Sequence, residues 1–162
     1  MGSYKLLALD LDKTIWDHED VSSTEPPYDR LNRDTISDSK GIFIKLRTGV
    51  REVLETLKDR EIALAVVSWN LYSKAVAALE AFDLLRLFDL VIVEPHPRKD
   101  LMFSKLLEWS TFHGIKPSEI VFVDDNPEMV EKVKRAWPQV TVAMFGADVK
   151  SFDEVLRLVL DP

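Results

Sequence analysis

The chain has no cysteine among its 162 residues. Disulfides, thiolate metal centres and cysteine nucleophiles are excluded together, so any metal must be held by oxygen or histidine. No apolar run approaches the ~18 residues of a membrane span, and the first apolar stretch is interrupted by Asp10 before it could serve as a secretion signal. Position six is Leu6, where a myristoylation motif requires Ser or Thr. Basic residues are in deficit, 21 Lys and Arg against 28 Asp and Glu, for a net charge of -7. That balance disfavours non-specific attraction to nucleic acid or anionic membrane. A cytoplasmic protein with neither nucleic acid nor membrane as a partner is expected. Also missing are a Gly-rich phosphate loop after the first strand, an internal repeat and a low-complexity tract, which argues against a dinucleotide or P-loop site. His18, His96 and His113 form no ligand cluster.

What is present suits one folded domain over residues 1–162, with 46% hydrophobic and 30% charged residues. An apolar strand spans Tyr4 to Asp10. The apolar pattern then lapses from Asp17 to Lys40, a stretch rich in Asp, Ser, Thr and Pro. It reads as an excursion with at most a small hairpin ending in Ile42-Phe43-Ile44, a flap insertion over approximately 15–48 with Pro26-Pro27-Tyr28 in its middle. Regular alternation follows. Val50, Val53, Leu54 and Leu57 carry helical spacing, and Ile62 to Val67 reads as a buried strand. Tyr72 to Leu79 is helical, Leu90 to Val93 a strand, and Met102, Leu106 and Trp109 lie on a third helix. Ile120 to Val123, a helix around Met129, Val130 and Val133, Val140 to Ala143, and a helix from Phe152 to Leu160 complete the series. The expected fold is α/β and Rossmann-like: a doubly wound, mainly parallel five-stranded sheet with helices on both faces.

The first strand ends in Asp10-Leu11-Asp12-Lys13-Thr14. Residues two apart on a strand share a face, and two ionised carboxylates about 4 Å apart repel by about 4 kcal/mol at an effective dielectric of 20. Such a pair tends to hold a proton or to share a hard cation such as Mg2+. A second acid pair, Asp124-Asp125, closes the strand Ile120 to Val123. Parallel sheets of this kind bind ligands beyond the carboxyl ends of their strands, and Asp10 to Thr14, Ser68, Pro95 to Lys99 and Asp124-Asp125 all fall at that edge. Other roles compete. Ser68 is also a candidate helix cap, as is either member of the acid pair before Pro127. Lys99 is also a candidate solvated lysine, and Trp69 suits either the pocket mouth or the core.

These residues in this order resemble the haloacid dehalogenase superfamily. Asp10-Leu11-Asp12-Lys13-Thr14 matches its first motif, Ser68 the second, Lys99 the third and Asp124-Asp125 the fourth. Asp-Lys-Thr-Ile-Trp, the following Pro-Pro-Tyr and Val-Asp-Asp-Asn are similar to the magnesium-dependent phosphatases, small members without a cap domain. The resemblance implies a phosphomonoester phosphatase with an aspartyl-phosphate intermediate, in which Asp10 is nucleophile and Asp12 general acid and base. Mg2+ would be held by Asp10, the Asp12 backbone carbonyl, and the Asp124-Asp125 pair, with Asp125 the direct ligand and Asp124 its support. Ser68 and Lys99 would meet the phosphoryl group. Thr14 would order the loop, and together with Trp69 and Asn70 it completes the residues expected at the substrate. Trp69-Asn70 departs from the Arg-Thr associated with this family.

Residues 15–48 are too short for an independently stable lid and residues 69–90 are filled by one helix and a turn, so the site is expected to be open. Substrates implied by the resemblance are aryl phosphates, phosphotyrosine or sugar phosphates, presented as a phosphorylated small molecule or a phosphoprotein side chain. Two other classes compete: a receiver-like phospho-acceptor domain and an inactive module that kept the fold. The order of the acids opposes the first, and the complete set of acids with Ser68 and Lys99 opposes the second.

Overall fold

Strand β1, Leu6–Leu9, is buried on both faces, which is why its sequence is a continuous apolar run rather than an alternating one. In the computed structural model, which describes residues 4–161, β1 is the middle of a five-stranded parallel sheet. Its neighbours are β5 (Ala63–Trp69) and β7 (Ile120–Asp124), and the edges are β6 (Leu90–Glu94) and β8 (Thr141–Met144), in the order β6-β5-β1-β7-β8. The chain leaves β1 towards β5 and β6, then crosses back to β7 and β8. The winding therefore switches at β1, where a crevice opens beyond the strand ends.

Alternate residues of β1 feed two separate apolar layers. Leu7 and Leu9 pack with helices α1 (Val50–Asp59), α2 (Tyr72–Ala81) and α5 (Phe152–Leu160), through Leu54, Ala75, Leu79 and Val155. Leu6 and Ala8 pack with α3 (Lys99–Phe112) and α4 (Pro127–Ala136), through Met102, Phe103, Leu106 and Val133. The doubly wound α/β architecture agrees with the sequence reading. Every strand end of this sheet lies within two residues of its expected place; β1 begins at Leu6 rather than Tyr4.

The excursion after β1 is more ordered than expected. Instead of a small hairpin it is a three-stranded antiparallel sheet of β2 (Asp29–Asn32), β3 (Thr35–Ser37) and β4 (Phe43–Lys45). β2 is exposed throughout and lacks the apolar alternation that would have announced it. Ile36 and Ile44, paired across β3 and β4, are the two residues that anchor this flap in the main core. Between β5 and β6 there is only α2 and a short turn at Leu85–Leu87, so among the described residues no lid domain stands over the sheet. No helix among them is long and apolar enough to cross a membrane.

Candidate active site

The loop after β1 turns sharply because Lys13 adopts a left-handed conformation, φ 60°, that side chains other than glycine seldom take. Thr14 and Ile15 N–H both close back on the Leu11 carbonyl, and Arg47 caps the turn. Its Nε donates to the Thr14 carbonyl at 3.0 Å, and its guanidinium also bonds the Lys13 carbonyl and lies 4.7 Å over the Phe145 ring. The turn carries the Asp12 carboxylate towards Trp16 and the flap, while Asp10 stays beside β7, its N–H bonded to the Val123 carbonyl at 3.0 Å.

Lys99, the first residue of α3, is buried to 2% exposure and is no solvated lysine. Its Nζ donates to Asp10 Oδ1 at 2.8 Å and to Asp124 Oδ2 at 2.5 Å. Asp10, Asp124 and Asp125 each bring one oxygen to within 4.8 Å of the others. Among the described residues this is a group able to hold a cation with carboxylate oxygen alone, which suits a hard divalent ion. Asp125 is the more open of the adjacent pair. Its Oδ1 receives the Thr14 hydroxyl at 3.3 Å, whereas both Asp124 oxygens are engaged, one by Lys99 and the other by the Asn126 N–H at 3.0 Å.

Asp12 does not join that trio. Oδ1 accepts from Trp16 Nε1 at 2.8 Å and from the Val21 N–H at 3.0 Å, and Oδ2 accepts from Asn70 Nδ2 at 3.0 Å. Four carboxylates thus share the site with one buried ammonium, which pairs with only Asp10 and Asp124, an excess of negative charge. Burial pushes the Asp10 carboxyl up to about 6 against the pull of Lys99, with Asp125 and Asp12 adding repulsion. Burial likewise raises Asp12 to about 6, opposed by its three donors, and raises Asp124 to about 6 with repulsion from Asp10. Asp125 is shifted upward by burial and by Asp124. Burial works against the Lys99 ammonium, but Asp10 and Asp124 outweigh it and hold its pKa above 10.5.

The strand ends do converge. A cleft of about 440 Å3 is lined by Asp10, Asp12, Asn70, Lys99, Asp124 and Asp125, together with the apolar residues Trp69, Leu71, Pro95 and Met129 and the polar residues Lys13, Glu19, Asp20, Ser22 and Asn126. Trp69 stands at the mouth, 50% exposed, rather than in the core. Two expected substrate residues sit deeper. Thr14 is fully buried and does not line the cleft; its hydroxyl lies 3.3 Å from both Asp10 Oδ2 and Asp125 Oδ1, so it bridges two of the carboxylates. Ser68 is also fully buried, and its hydroxyl accepts from Asn70 at 2.9 Å.

The competing cap roles fall away. Leu71 occupies the N-cap of α2 with no side-chain bond, and Asn126, not either acid, caps α4 through the N–H groups of Glu128 and Met129. None of the histidines joins the carboxylate group: His96 bonds Glu94, His113 stacks on Trp109, and His18 accepts the Asp20 N–H at 3.0 Å. Trp16, Val21 and Arg47 escaped the sequence reading. Trp16 was visible within the Asp-Lys-Thr-Ile-Trp motif, but the other two act through backbone groups that leave no pattern.

Comparison with known proteins identifies the family. The haloacid dehalogenase-like hydrolase family model matches residues 4–143. Human magnesium-dependent phosphatase 1 is 30% identical over 132 residues, 81% of this chain and 73% of that protein. The phosphatase-containing N-terminal part of BF1531 from Bacteroides fragilis, solved with Mg, superposes with a TM-score of 0.69 at 24% identity. That likeness covers 98% of this chain but only 40% of the other. A haloacid dehalogenase-superfamily hydrolase from Geobacter sulfurreducens gives 0.70 at 20% identity, with 98% of each chain covered. By the span of the family match and the identity to the human protein, the chain belongs to the haloacid dehalogenase-like hydrolases.

Proposed function

We propose that this chain, as a single catalytic domain, is a Mg2+-dependent phosphomonoester phosphatase working through a phosphorylated Asp10. The observation that carries the reading is the pairing of Asp10 with buried Lys99 beside a carboxylate trio, with Asp12 held separately by Trp16, Val21 and Asn70. The relatives named phosphatases, one of them magnesium-dependent and another solved with Mg, support the same reading.

An Asp10 oxygen attacks phosphorus in line, forming an acyl phosphate as the bond to the leaving oxygen breaks. Asp12 gives its proton to that oxygen. The resulting Asp12 carboxylate then takes a proton from water, whose oxygen attacks phosphorus, releases inorganic phosphate and frees Asp10. Lys99 keeps Asp10 ionised for attack and offsets charge on the phosphoryl oxygens. The carboxylates of Asp10, Asp124 and Asp125, with the Asp12 carbonyl, would hold Mg2+, with Asp125 the more available of the adjacent pair. When bound, the ion supplies positive charge to the phosphoryl oxygens and relieves the acid cluster.

The rim narrows the substrate. Trp69 and Leu71 offer exposed apolar surface beside the cleft, whereas Glu19 and Asp20 would repel a second anionic group. Aryl phosphates fit this rim better than bisphosphates or phosphorylated acids. Hydrolysis of p-nitrophenyl phosphate with Mg2+, with EDTA and with Asp10→Asn tests the reading. We expect metal-dependent turnover that falls roughly 10^4-fold or more in the variant. Turnover at wild-type level in the variant removes Asp10 as nucleophile, and a long-lived phosphorylated protein without turnover favours a phospho-acceptor domain.

A further inference from the structure

We propose that Asn70 is a positioning residue that sets the Asp12 carboxylate and the Ser68 hydroxyl in one hydrogen-bond order, with Ser22 of the flap as its anchor. The inference rests on the reading of Asp12 as general acid and base.

The order follows from what each group is able to do. The Leu71 N–H only donates, and Ser22 Oγ receives it at 2.8 Å. The Ser22 proton is then free to go to Asn70 Oδ1, 2.6 Å away. A carboxamide whose oxygen is occupied in this way presents both Nδ2 hydrogens on its other side. One reaches Asp12 Oδ2 at 3.0 Å and the other Ser68 Oγ at 2.9 Å. The chain begins at a group that only donates and ends at Asp12 Oδ2, which accepts from Asn70 whether or not it also carries a proton. Turning the amide over would set oxygen against the Asp12 oxygen, so the orientation is fixed without any contact from substrate.

Two consequences reach the chemistry. Asp12 Oδ1 already accepts two donors, Trp16 Nε1 and the Val21 N–H, whereas Oδ2 accepts Asn70 alone. Oδ2 is therefore the oxygen with a lone pair left to carry a proton to or from the reacting oxygen. Ser68, receiving a hydrogen bond from Asn70, keeps its own proton for an incoming phosphoryl oxygen. One buried amide, 3% exposed, thus prepares an acid and a donor on separate elements.

The anchor also joins the flap to the sheet. Ser22 lies in a 3-10 turn over Val21–Ser23, and Lys74 of α2 holds that turn by donating to the Ser22 carbonyl at 2.9 Å while pairing with Glu25 at 3.5 Å. Asn70 itself is fixed by its backbone, whose N–H donates to the Glu94 carbonyl at 3.0 Å. The Asp12 donors therefore come from both walls: Val21 from the flap segment, Asn70 from the end of β5.

The test compares kcat/KM for phenyl phosphate and p-nitrophenyl phosphate, alike in shape but unlike in how much their leaving oxygen needs a proton. A general acid matters more for the poorer leaving group, phenol, so misplacing it changes the ratio of the two values. A purely structural defect lowers both together. Asp12→Asn calibrates the effect and is expected to depress phenyl phosphate at least roughly tenfold more than p-nitrophenyl phosphate. Asn70→Ala should move the ratio in the same direction by roughly tenfold and Ser22→Ala by roughly threefold. Equal losses on both substrates in Asn70→Ala and Ser22→Ala, with discrimination intact in Asp12→Asn, overturn the role of Asn70 alone. No discrimination in Asp12→Asn overturns the acid role, and this inference with it. Should Asn70→Ala not fold, Ser22→Ala decides, because its side chain lies on a half-buried turn.

Discussion

The two walls of the cleft hold their carboxylates in opposite ways. At the sheet edge, burial drives Asp10, Asp12 and Asp124 up to about 6. In the flap, burial also opposes the Asp38 carboxylate, but it accepts the N–H groups of Glu25 at 2.9 Å, Ile42 at 2.7 Å and Lys40 at 3.0 Å, and these hold it below 3.8. The flap acid is satisfied by the chain's own backbone. The sheet-edge acids are crowded together with too little positive charge, a configuration that costs stability and that a bound cation would relieve. A fully satisfied acid belongs to architecture, and a frustrated cluster in a cleft belongs to chemistry.

Removing Lys99 attacks the difference at its strongest point. Lys99→Met leaves Asp10 and Asp124 without their cation, and breaking a buried pair in this way costs about 3–5 kcal/mol. We expect that loss in urea unfolding of metal-free protein at pH 7.5, shrinking at pH 5 as the two acids take up protons. An equal loss at both pH values would show that Lys99 stabilises through packing rather than charge.

The sign of pH dependence sharpens the contrast. An acid whose folded pKa is raised from 3.8 to about 6 retains in the folded state a proton that the unfolded chain has lost. Stability therefore falls as pH rises from about 4 to about 6 and stays lower above that window. For Asp12 the shift corresponds to about 3 kcal/mol, at about 1.4 kcal/mol per unit. In EDTA the Tm is expected to decline across this window, and Mg2+ is expected to restore more of it at pH 7.5 than at pH 4.5. A Tm that rises with pH in EDTA would contradict the frustrated cluster.

The same asymmetry explains what was legible in the sequence. β1, β5, β6 and β7 carry apolar runs that stop at polar residues, so both the sheet and the residues at its mouth could be placed from spacing alone. Leu6 to Leu9 with Asp10, and Ile120 to Val123 with Asp124, are the plainest cases. The flap offered no such pattern. β2 has no buried side chain, and β3 and β4 hold their place chiefly through Ile36 and Ile44. Thr14 was placed in the right loop but given a different partner, because its two carboxylates meet only when residues 10 and 125 are brought together. Asn70 stood out as a departure from the family pattern. Its role depends on Ser22, 48 positions away in the part of the chain that read as irregular.

The smallest effect is expected from Asp38, which does not line the cleft. Its folded pKa is lowered, so its contribution is present above 3.8 and is lost as pH falls through the folded value, opposite in sign to that of Asp12. Asp38→Asn keeps one oxygen for the Lys40 and Ile42 N–H groups and gives up the acceptor for Glu25. The segment between Glu25 and Ile42 should then be cut faster by a protease at pH 7.5, and the acid-sensitive part of its protection below pH 3.8 should disappear. Hydrolysis should stay near wild type, because Val21 and Ser22 are held by Asp12, Asn70, Leu71 and Lys74 rather than by Asp38. A large loss of activity in Asp38→Asn would show instead that the outer flap and the turn at Ser22 move as one piece, and the two walls of the cleft would no longer be separable.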